Sequence, residues 1–384
     1  MSRWNLGALG TNFQTQPPPI STSLTPPSIP PVMSTLKGTI LVTGANGGLG
    51  LAFTRKLLSL PPTADYFTIY TVRSSSPTSS GALQTTLSKR TTPHAVLPVD
   101  LSSLSAVREF AQLVNGQVDR GEIPPIRVLV LNAAVQHTSG MKFTTDGLET
   151  HFAVNHLANF LLVLLLLRSM DKDMGRIVIV SSFTHDPEYK YNSQYATDKI
   201  VFKKPELMAK PDTVDKKGDE WAAGMRRYGL SKLLMVMFMY PCICHTSDRR
   251  YELQRRLDAD PILHNISIMA LDPGGMPGTG IMREAPWYMR FIVQKIMPLF
   301  LGIMNYIAPS MPFRTPTRSG EDLVYAAFDE NELGRHPKAL NLNGRIKEPT
   351  SKESKDEAKQ KELWESSIKF AGIRDGDTML ENWG

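Results

Sequence analysis

The chain has 384 residues, 41% hydrophobic and 21% charged, which is enough for one large α/β domain or two small ones. Its formal charge of +6 is spread without a basic run interleaved with aromatic residues, so the sequence argues against nucleic acid as a partner. The two cysteines, Cys242 and Cys244, cannot complete a zinc site or a disulfide framework, and we expect a cytoplasmic protein without a metal site, in a reducing compartment.

The amino-terminal segment differs in composition from the rest of the chain. Residues 1–36 are rich in proline, serine and threonine and contain no acidic residue, so they cannot bury a core. They also lack the continuous apolar core of a secretory signal. We predict a disordered leader over residues 1–36.

Short apolar runs and helical patterns alternate along residues 37–345. The apolar runs predict strands at Thr39–Val42, Phe67–Val72, Ala95–Val99, Val128–Leu131, Ile177–Val180 and Ile266–Leu271. The helical patterns lie at Leu49–Leu60, Ser105–Val114, Leu148–Leu167 and Tyr228–Tyr240. This alternation predicts an α/β fold, a doubly wound parallel sheet in a single domain over 37–345.

Two segments depart from the alternation. Residues 183–227 are polar and contain Pro187, Pro205 and Pro211, so we interpret them as an insertion. Residues 346–384 are highly charged. We expect them to form a solvated carboxy-terminal extension with one amphipathic helix, in which Trp364 is the candidate packing contact.

A glycine-rich turn follows the first predicted strand and opens the first predicted helix. It reads Thr43-Gly44-Ala45-Asn46-Gly47-Gly48-Leu49-Gly50. Glycines at such a turn let the backbone approach a pyrophosphate, and the helix N-terminus offers free N–H groups and partial positive charge. Because the strand–turn–helix context is the confirming condition, the sequence predicts dinucleotide binding, with contacts from Gly44, Asn46, Gly48, Leu49 and Gly50.

The residue at the end of the second predicted strand bears on the choice of cofactor. An acid there would bind the ribose 2′-hydroxyl of NAD, whereas an arginine accommodates the 2′-phosphate of NADP. This strand ends in Thr71-Val72-Arg73, with no acid beside it. Arg73 therefore favours NADP(H).

These motifs resemble those of the short-chain dehydrogenase/reductase family over residues 37–345. The family's glycine pattern TGxxxGxG occurs as Thr43, Gly44, Gly48 and Gly50. The resemblance implies a Rossmann fold and an oxidoreductase that moves hydride between NADP(H) and a carbonyl or alcohol.

The resemblance also implies further cofactor contacts. Asp100-Leu101 corresponds to a family pair that contacts the adenine, and Asn132-Ala133-Ala134 to its Asn-Ala-Gly motif, with alanine replacing the glycine. Pro273-Gly274 follows the last core strand as in the family. Thr279 resembles a family threonine near the nicotinamide carboxamide, at a slightly longer spacing from Pro273.

Two further catalytic positions follow from the same resemblance. The phrase Phe152-Ala153-Val154-Asn155-His156-Leu157 is similar to the family helix whose asparagine holds a water in a proton relay, which implies that role for Asn155. The serines Ser181-Ser182 follow a predicted strand, and the second one corresponds to the serine that binds the substrate oxygen. We assign Ser182, with Ser181 as the alternative at one step of register.

The family's Tyr-x-x-x-Lys motif occurs twice, as Tyr195/Lys199 and Tyr228/Lys232. One helical turn apart, both side chains lie on one face, and the lysine's charge lowers the tyrosine pKa so that it can act as general acid or base. Tyr195 lies 13 residues after Ser182, the commoner family spacing, but Pro205 soon blocks a helix there. An apolar helical run follows Lys232, so we assign Tyr228 and Lys232, which also contact the cofactor.

Residues 276–318 are rich in Met, Trp, Tyr and Phe and are expected to close over the substrate. The phrase Thr279-Gly280-Ile281-Met282-Arg283-Glu284 resembles the retinol dehydrogenase and protochlorophyllide reductase branch, which implies a bulky, apolar substrate. Alternatively, this region forms an oligomer interface or faces a membrane. Its stretch Phe291–Met304, like Leu157–Leu167, falls short of the roughly 18 apolar residues that span a bilayer, which leaves peripheral contact.

The expected function is interconversion of a ketone and an alcohol, in a homo-oligomer. One alternative is reduction of a C=C bond, as in light-dependent protochlorophyllide reduction. The other is a catalytically silent NADP-binding regulatory protein, against which the intact set of Asn155, Ser182, Tyr228 and Lys232 argues.

Overall fold

The computed structural model describes residues 35–61, 65–74, 76–89, 92–192, 202–213, 215–239, 253–307 and 312–384. These residues belong to one compact unit, Met33–Gly384. The predicted leader up to residue 34, the pair Tyr195 and Lys199, and both cysteines lie outside the described residues. What was predicted for them stays a prediction.

An eight-stranded sheet forms the centre of this unit. Its strands are β1 Thr39–Val42, β2 Phe67–Val72, β3 His94–Pro98, β4 Ile126–Leu131, β5 Arg176–Val180, β6 Ser267–Asp272, β7 Asn341–Asn343 and β8 Ile346–Lys347. The first seven are parallel, in the order β3-β2-β1-β4-β5-β6-β7, and β8 pairs antiparallel with β7. The predicted doubly wound fold is confirmed, and all six predicted strands are present within two residues of their expected bounds.

Helices cover both faces of the sheet, because every residue of β1, β2, β4, β5 and β6 is buried. The helices are α1 Gly48–Ser59, α2 Pro77–Leu87, α3 Leu104–Asp119, α4 Ala158–Leu166, α5 Pro205–Ala209, α6 Glu220–Met239, α7 Leu253–Ala259, α8 Trp287–Phe291, α9 Met297–Ile307, α10 Pro316–Phe328 and α11 Glu357–Ala371. On one face, α1 packs against α10; on the other, α3 packs against α4. The strand order reverses between β1 and β4, and doubly wound sheets bind ligands outside the carboxyl ends of their strands at such a point.

One apolar helix runs through the core. A π-helical turn, Phe152–Leu157, leads into α4 and a closing 3-10 turn, Leu167–Ser169. The whole stretch Phe152–Ser169 is long and apolar enough to cross a membrane, but 94% of it is buried inside the protein. It is therefore the core helix of this domain, which explains why it carries no polar face.

The carboxy-terminal segment corrects the expectation of a solvated extension. Trp364 of α11 is only 2% exposed, and its ring packs against Phe160 of α4 and Phe238 of α6, with centroids 5.1 and 6.1 Å apart. Asp356 caps the start of α11, and Gly372 ends it in the left-handed conformation. The charges that suggested solvation lie on the other face of the helix, while Trp364 and Leu363 complete the core.

The segment predicted as an insertion is partly regular. The helix α5 lies inside it, and α6 begins at Glu220, eight residues before Tyr228 where the sequence pattern placed its start. The start of α6 alternates between partly buried residues, 220–222 and 226–227, and buried ones, 223–225, so it lacks the continuous apolar signal that marks the rest of the helix. Tyr228 and Lys232 consequently lie in the middle of a 20-residue helix, in its buried part.

Candidate active site

A cavity of about 800 Å³ lies at the carboxyl ends of the parallel strands. This volume falls in the range of small-molecule and cofactor sites. The predicted site residues that line it are Gly44, Asn46, Gly48, Leu49, Arg73, Asp100, Leu101, Asn132, Ser182, Tyr228, Lys232, Gly274 and Thr279. Two predicted residues, Gly50 and Asn155, do not line it.

The glycine-rich turn is shaped for close approach of a ligand to the backbone. Gly44 has φ +65°, and a Cβ there would lie 2.9 Å from the Ala133 Cα, so only glycine fits. Gly47 precedes α1 without a side-chain cap, which leaves the helix N-terminus to a ligand. Gly50 contributes packing, since a Cβ would lie 2.4 Å from the Gly44 carbonyl oxygen. This cradle fits the pyrophosphate of a dinucleotide.

Asn132 fixes the shape of that turn. Its side-chain amide donates to the carbonyl oxygens of Thr43, at 2.7 Å, and Gly44, at 3.0 Å. The Thr43 hydroxyl accepts hydrogen bonds from the backbone N–H groups of Asn132 and Ala133. Asn132 therefore acts on a cofactor chiefly by holding the turn, although it also lines the cavity.

Arg73 lies at the outer end of the cavity. Its side chain is 64% exposed, and its Nε lies 4.0 Å from the Asp100 carboxylate. That carboxylate accepts hydrogen bonds from the backbone N–H and the hydroxyl of Ser102. Because 4.0 Å is beyond hydrogen-bond distance, the Arg73 guanidinium keeps its N–H donors for an anionic group.

Tyr228 and Ser182 meet inside the cavity. The Tyr228 side chain is buried near that of Ser182, and hydrogen bonding with Ser182 acts to lower the pKa of the Tyr228 phenol. The Ser182 hydroxyl oxygen also accepts a hydrogen bond from the Thr184 hydroxyl, at 2.9 Å. Ser181, the alternative in the sequence, keeps its hydroxyl buried without a partner. Ser182 is therefore the serine that joins Tyr228.

Lys232 lies on the same face of α6 as Tyr228. Its Nζ is 5.6 Å from the centre of the Tyr228 ring and donates to the Val180 carbonyl oxygen at 2.8 Å. Burial lowers the pKa of Lys232 to about 8, against the opposing effect of the Asp272 carboxylate. Burial also raises the pKa of Tyr228, as does Asp272, while the bond to Ser182 lowers it. Without a bound cofactor, the Tyr228 hydroxyl is therefore protonated and has a proton to donate.

Asp272, at the end of β6, is a buried carboxylate that sequence reasoning missed. Burial raises its pKa, and hydrogen bonds from the Gly274 and Phe183 backbones together with nearby Arg314 and His185 oppose that rise. It is the charged group that acts on both Tyr228 and Lys232. An acid directly before Pro273-Gly274 was the available signal, but its distance in sequence from Tyr228 concealed the contact.

Asn155 does not line the cavity, and the role in holding a water that the resemblance implies stays a prediction. Its side chain accepts a hydrogen bond from the Val135 N–H at 2.8 Å and donates to the Val135 carbonyl oxygen and the Ser231 hydroxyl at 3.0 and 2.9 Å. These bonds use both N–H donors of its side-chain amide. Asn155 is a positioning residue that ties the π-helical turn to α6 and to the segment after β4.

The segment after β6 closes one side of the cavity, as the sequence predicted for residues 276–318. Met289, Val293 and Met297 line the cavity at intervals of four residues, which places them on one face of the helix. At its root, Glu284 accepts hydrogen bonds from Lys142 at 2.8 Å and from the Thr138 backbone at 2.9 Å. Burial acts to raise the pKa of Glu284, but hydrogen bonds, chiefly that from Lys142, lower it overall. Glu284 is therefore an ionised carboxylate that fixes this segment through its hydrogen bonds.

The lining residues that were not foreseen include Gln136, Thr184, Tyr191 and Met225. They come from loops and from the start of α6, where no motif marks them. Within the described ranges, no group of three or more His, Cys, Asp or Glu side chains could hold a metal ion.

Comparison with known proteins places these features in a family context. The family model of short chain dehydrogenases matches residues 38–204. The short-chain dehydrogenase iccH of Talaromyces variabilis is 36% identical over 90% of this chain and 99% of its own length. Protochlorophyllide reductase B of Oryza sativa subsp. japonica is 28% identical over 93% of this chain and 83% of its own. Polyprenol dehydrogenase of Mus musculus is 27% identical over 92% and 90%.

Solved structures share the fold at low identity. The angucycline C-6 ketoreductase LanV with bound NADP has a TM-score of 0.50 and 18% identity, over 84% of this chain and 97% of that one. A protein of Mycobacterium paratuberculosis reaches a TM-score of 0.55 at 21% identity, over 89% and 96%. The family match includes Tyr195 and Lys199 but ends before Tyr228, so the assignment of Tyr228 rests on the cavity's geometry.

Proposed function

This chain belongs to the short-chain dehydrogenase/reductase family, whose members are oxidoreductases that use NAD(P)H, and we propose that it interconverts a ketone and an alcohol with NADP(H). The proposal rests on one observation: Ser182, Tyr228 and Lys232 line the same cavity as the glycine-rich turn. The substrate we propose is a bulky, apolar small molecule.

NADP(H) is the proposed cofactor because of the charge at the end of β2. Gly44, Gly48 and the start of α1 would hold the pyrophosphate, and Arg73 would hold the 2′-phosphate. When bound, the cofactor supplies or accepts the hydride, and the protein supplies orientation and the proton.

The proton is the task of Tyr228. In reduction, the Tyr228 and Ser182 hydroxyls would hydrogen-bond the carbonyl oxygen, and Tyr228 would donate its proton to that oxygen as the alcohol forms. The Lys232 ammonium beside the ring would stabilise the resulting tyrosinate. In oxidation the same tyrosinate would accept the proton. Asp272 opposes the stabilisation of the tyrosinate, because its charge favours the neutral phenol.

An apolar substrate is proposed from the walls of the cavity. Met225 of α6 and Met282, Met289, Val293 and Met297 of the closing segment all line it. Methionine side chains adapt to irregular apolar shapes, which suits a bulky ligand with few polar groups. The similarity to polyprenol dehydrogenase, named for a long apolar alcohol, supports the same class.

Reduction of a C=C bond is the second candidate, supported by the similarity to protochlorophyllide reductases such as that of Oryza sativa. Activity toward ketones in darkness would favour carbonyl reduction. Activity that requires both light and a conjugated C=C substrate would favour the second candidate.

The test is NADPH oxidation against a panel of apolar ketones and quinones, with the Tyr228→Phe variant as the matched control. We expect at least one apolar ketone to be turned over by the parent protein and much more slowly by the variant. If the protein binds NADPH tightly but turns over no ketone, quinone or conjugated alkene, the chain is a catalytically silent NADP-binding protein.

A further inference from the structure

The segment that closes the cavity has an unusual outer surface. We call α8, the π-helical turn Ile292–Ile296 and α9 together the lid, residues 287–307. Ten of the fifteen exposed large hydrophobic side chains in the described part of the chain belong to it. They are Trp287, Tyr288, Phe291, Ile292, Ile296, Leu299, Phe300, Ile303, Tyr306 and Ile307.

The exposure is confined to one side of the lid, whose other side is packed against the protein. Leu299, Ile303 and Tyr306 are 73%, 61% and 87% exposed, while Leu301 on the opposite side is 1% exposed. The inward face also includes the cavity-lining Met289. The lid is thus apolar on both sides: its inner face packs over the cavity, and its outer face is exposed. Surfaces of this kind mark interaction sites.

Charge on the lid has one sign. Residues 287–307 include Arg290 and Lys295, both exposed, and contain no aspartate or glutamate. The nearest acid in sequence, Glu284, is turned toward Lys142 and the Thr138 backbone and is occupied there. Whatever covers the outer face therefore meets apolar area with basic groups beside it.

Apolar area with basic groups beside it distinguishes between two candidate partners for the outer face, a second copy of the chain and a lipid surface. In a two-fold dimer, the same patch would face itself, so Arg290 and Lys295 would meet their own copies without an acid on the lid to pair with. An anionic lipid surface supplies the opposite charge and an apolar interior together. The tips of Trp287, Tyr288 and Tyr306 are aromatic groups with a polar end, which prefer the membrane–water interface.

We propose that the outer face of the lid docks on the surface of a lipid bilayer that carries anionic headgroups. The lid lies along the interface and does not span it, because Met289, Val293 and Met297 on its inner face are seated over the cavity. One helix then separates the cavity from the bilayer. If the proposed function holds, an apolar substrate reaches the cavity from the membrane; the docking itself depends on no reaction.

The test is co-flotation of the full chain with vesicles of phosphatidylcholine alone and of phosphatidylcholine mixed with phosphatidylserine. We expect binding to both, stronger on the anionic vesicles and weakened by salt. The triple variant Leu299→Ser/Ile303→Ser/Tyr306→Ser should lower binding by about tenfold or more, since it removes apolar area from the interface. The variant Arg290→Gln/Lys295→Gln should lower only the preference for anionic vesicles, by about fivefold per charge.

The matched control is Leu113→Ser/Ile262→Ser/Ile346→Ser, three exposed apolar residues outside the lid. It should float like the parent protein, and circular dichroism should show all variants folded. Absence of flotation, or equal flotation of the lid variant, would overturn the proposal. So would a dimer in light scattering that only the lid variant dissociates, since a second copy would then cover the lid. Flotation requires no turnover, so its outcome is independent of the proposed reaction.

Discussion

Gly48 of the glycine-rich turn and Thr279 at the root of the lid leave no room between them. A Cβ added at Gly48 would lie 2.5 Å from the Thr279 Cγ2 and 2.8 Å from its Cβ. The Thr279 hydroxyl is in turn fixed by donating to the Met276 carbonyl oxygen at 2.8 Å. The turn that would hold the cofactor and the segment that closes one side of the cavity are therefore packed directly against each other.

This contact predicts a rescue between the two positions. Gly48→Ala should weaken NADPH binding by about tenfold, because overpacking of this size costs roughly 1–3 kcal/mol. Adding Thr279→Gly removes both clashing atoms, so Gly48→Ala should cost little when it is measured against the Thr279→Gly single variant. Adding Thr279→Ala leaves the Cβ at 2.8 Å, so the cost measured against Thr279→Ala alone should be larger. NADPH titration by fluorescence measures all of them. Gly81→Ala, with open space around it, is the neutral control.

Arg73 should decide between the two nicotinamide cofactors. Arg73→Ala should weaken NADPH by about tenfold or more and leave NADH nearly unchanged, because a charge-assisted contact of roughly 1.5–3 kcal/mol is made only to the 2′-phosphate. Titration of both cofactors measures it, with Arg168→Ala, an exposed arginine outside the cavity, as the control. Equal weakening of both cofactors would remove this role from Arg73.

The two tyrosine–lysine pairs predict opposite outcomes. Tyr228→Phe should lower turnover by about 10² to 10⁴, the usual share of general acid–base catalysis, and leave NADPH binding intact. Lys232→Met should impair both. Tyr195→Phe and Lys199→Met should change neither, and they serve as controls of the same chemistry. An essential Tyr195 beside a dispensable Tyr228 would show that the commoner spacing from Ser182 identifies the catalytic tyrosine.

The pKa of Lys232, lowered by burial to about 8, predicts the pH dependence of ketone reduction. Below that pH the ammonium is present and stabilises the tyrosinate that forms; above it, the amine is neutral and this stabilisation is lost. Turnover should therefore fall as the pH rises through about 8. The readout is a pH profile of turnover under saturating NADPH. A profile that stays flat to pH 10 would contradict the role of Lys232.

His156 predicts a pH dependence of stability. It is fully buried, its Nε2 lies 2.8 Å from the Ser367 hydroxyl, and burial lowers its pKa from 6.5 to about 3. As the pH falls, His156 is protonated in the unfolded chain before it is protonated in the folded protein. The stability linked to His156 is therefore complete above pH 6.5 and is lost as the pH falls toward 3.

At pH 5 the expected loss is about 2 kcal/mol from this residue, and it should appear in urea unfolding at pH 7 and pH 5. His156→Gln should flatten the dependence, even though the variant is less stable at pH 7. An exposed histidine, His264, offers the matched control, since His264→Gln should leave the slope unchanged. An unaltered slope in His156→Gln would contradict the assignment.

Much of the fold could be predicted from local pattern. The strands β1, β2, β4, β5 and β6 are buried on both faces, so each is a continuous apolar run that needs no knowledge of its neighbours. The turn from Thr43 to Gly50 was equally predictable, because a glycine cluster between a strand and a helix is typical of a phosphate-binding turn. Most of the cavity residues follow from where those strands end.

What the sequence could not supply is the identity of contacts between distant segments. The side chain of Asn155 forms hydrogen bonds with Val135 and Ser231, which lie 20 and 76 residues away, and no local pattern predicts these partners. Asp272 acts on Tyr228 and Lys232 only because β6 ends beside α6.

The sheet and the glycine-rich turn could be predicted from local pattern, because they depend on periodicity and on the conformational freedom of glycine. Which partner each amphipathic segment packs against could not, because it depends on contacts between distant parts of the chain. Trp364 and Leu299 both lie in apolar helical patterns, but the first is buried against Phe160 and the second is left uncovered. Periodicity reports that a face is apolar; which surface lies opposite depends on the packing of the whole chain.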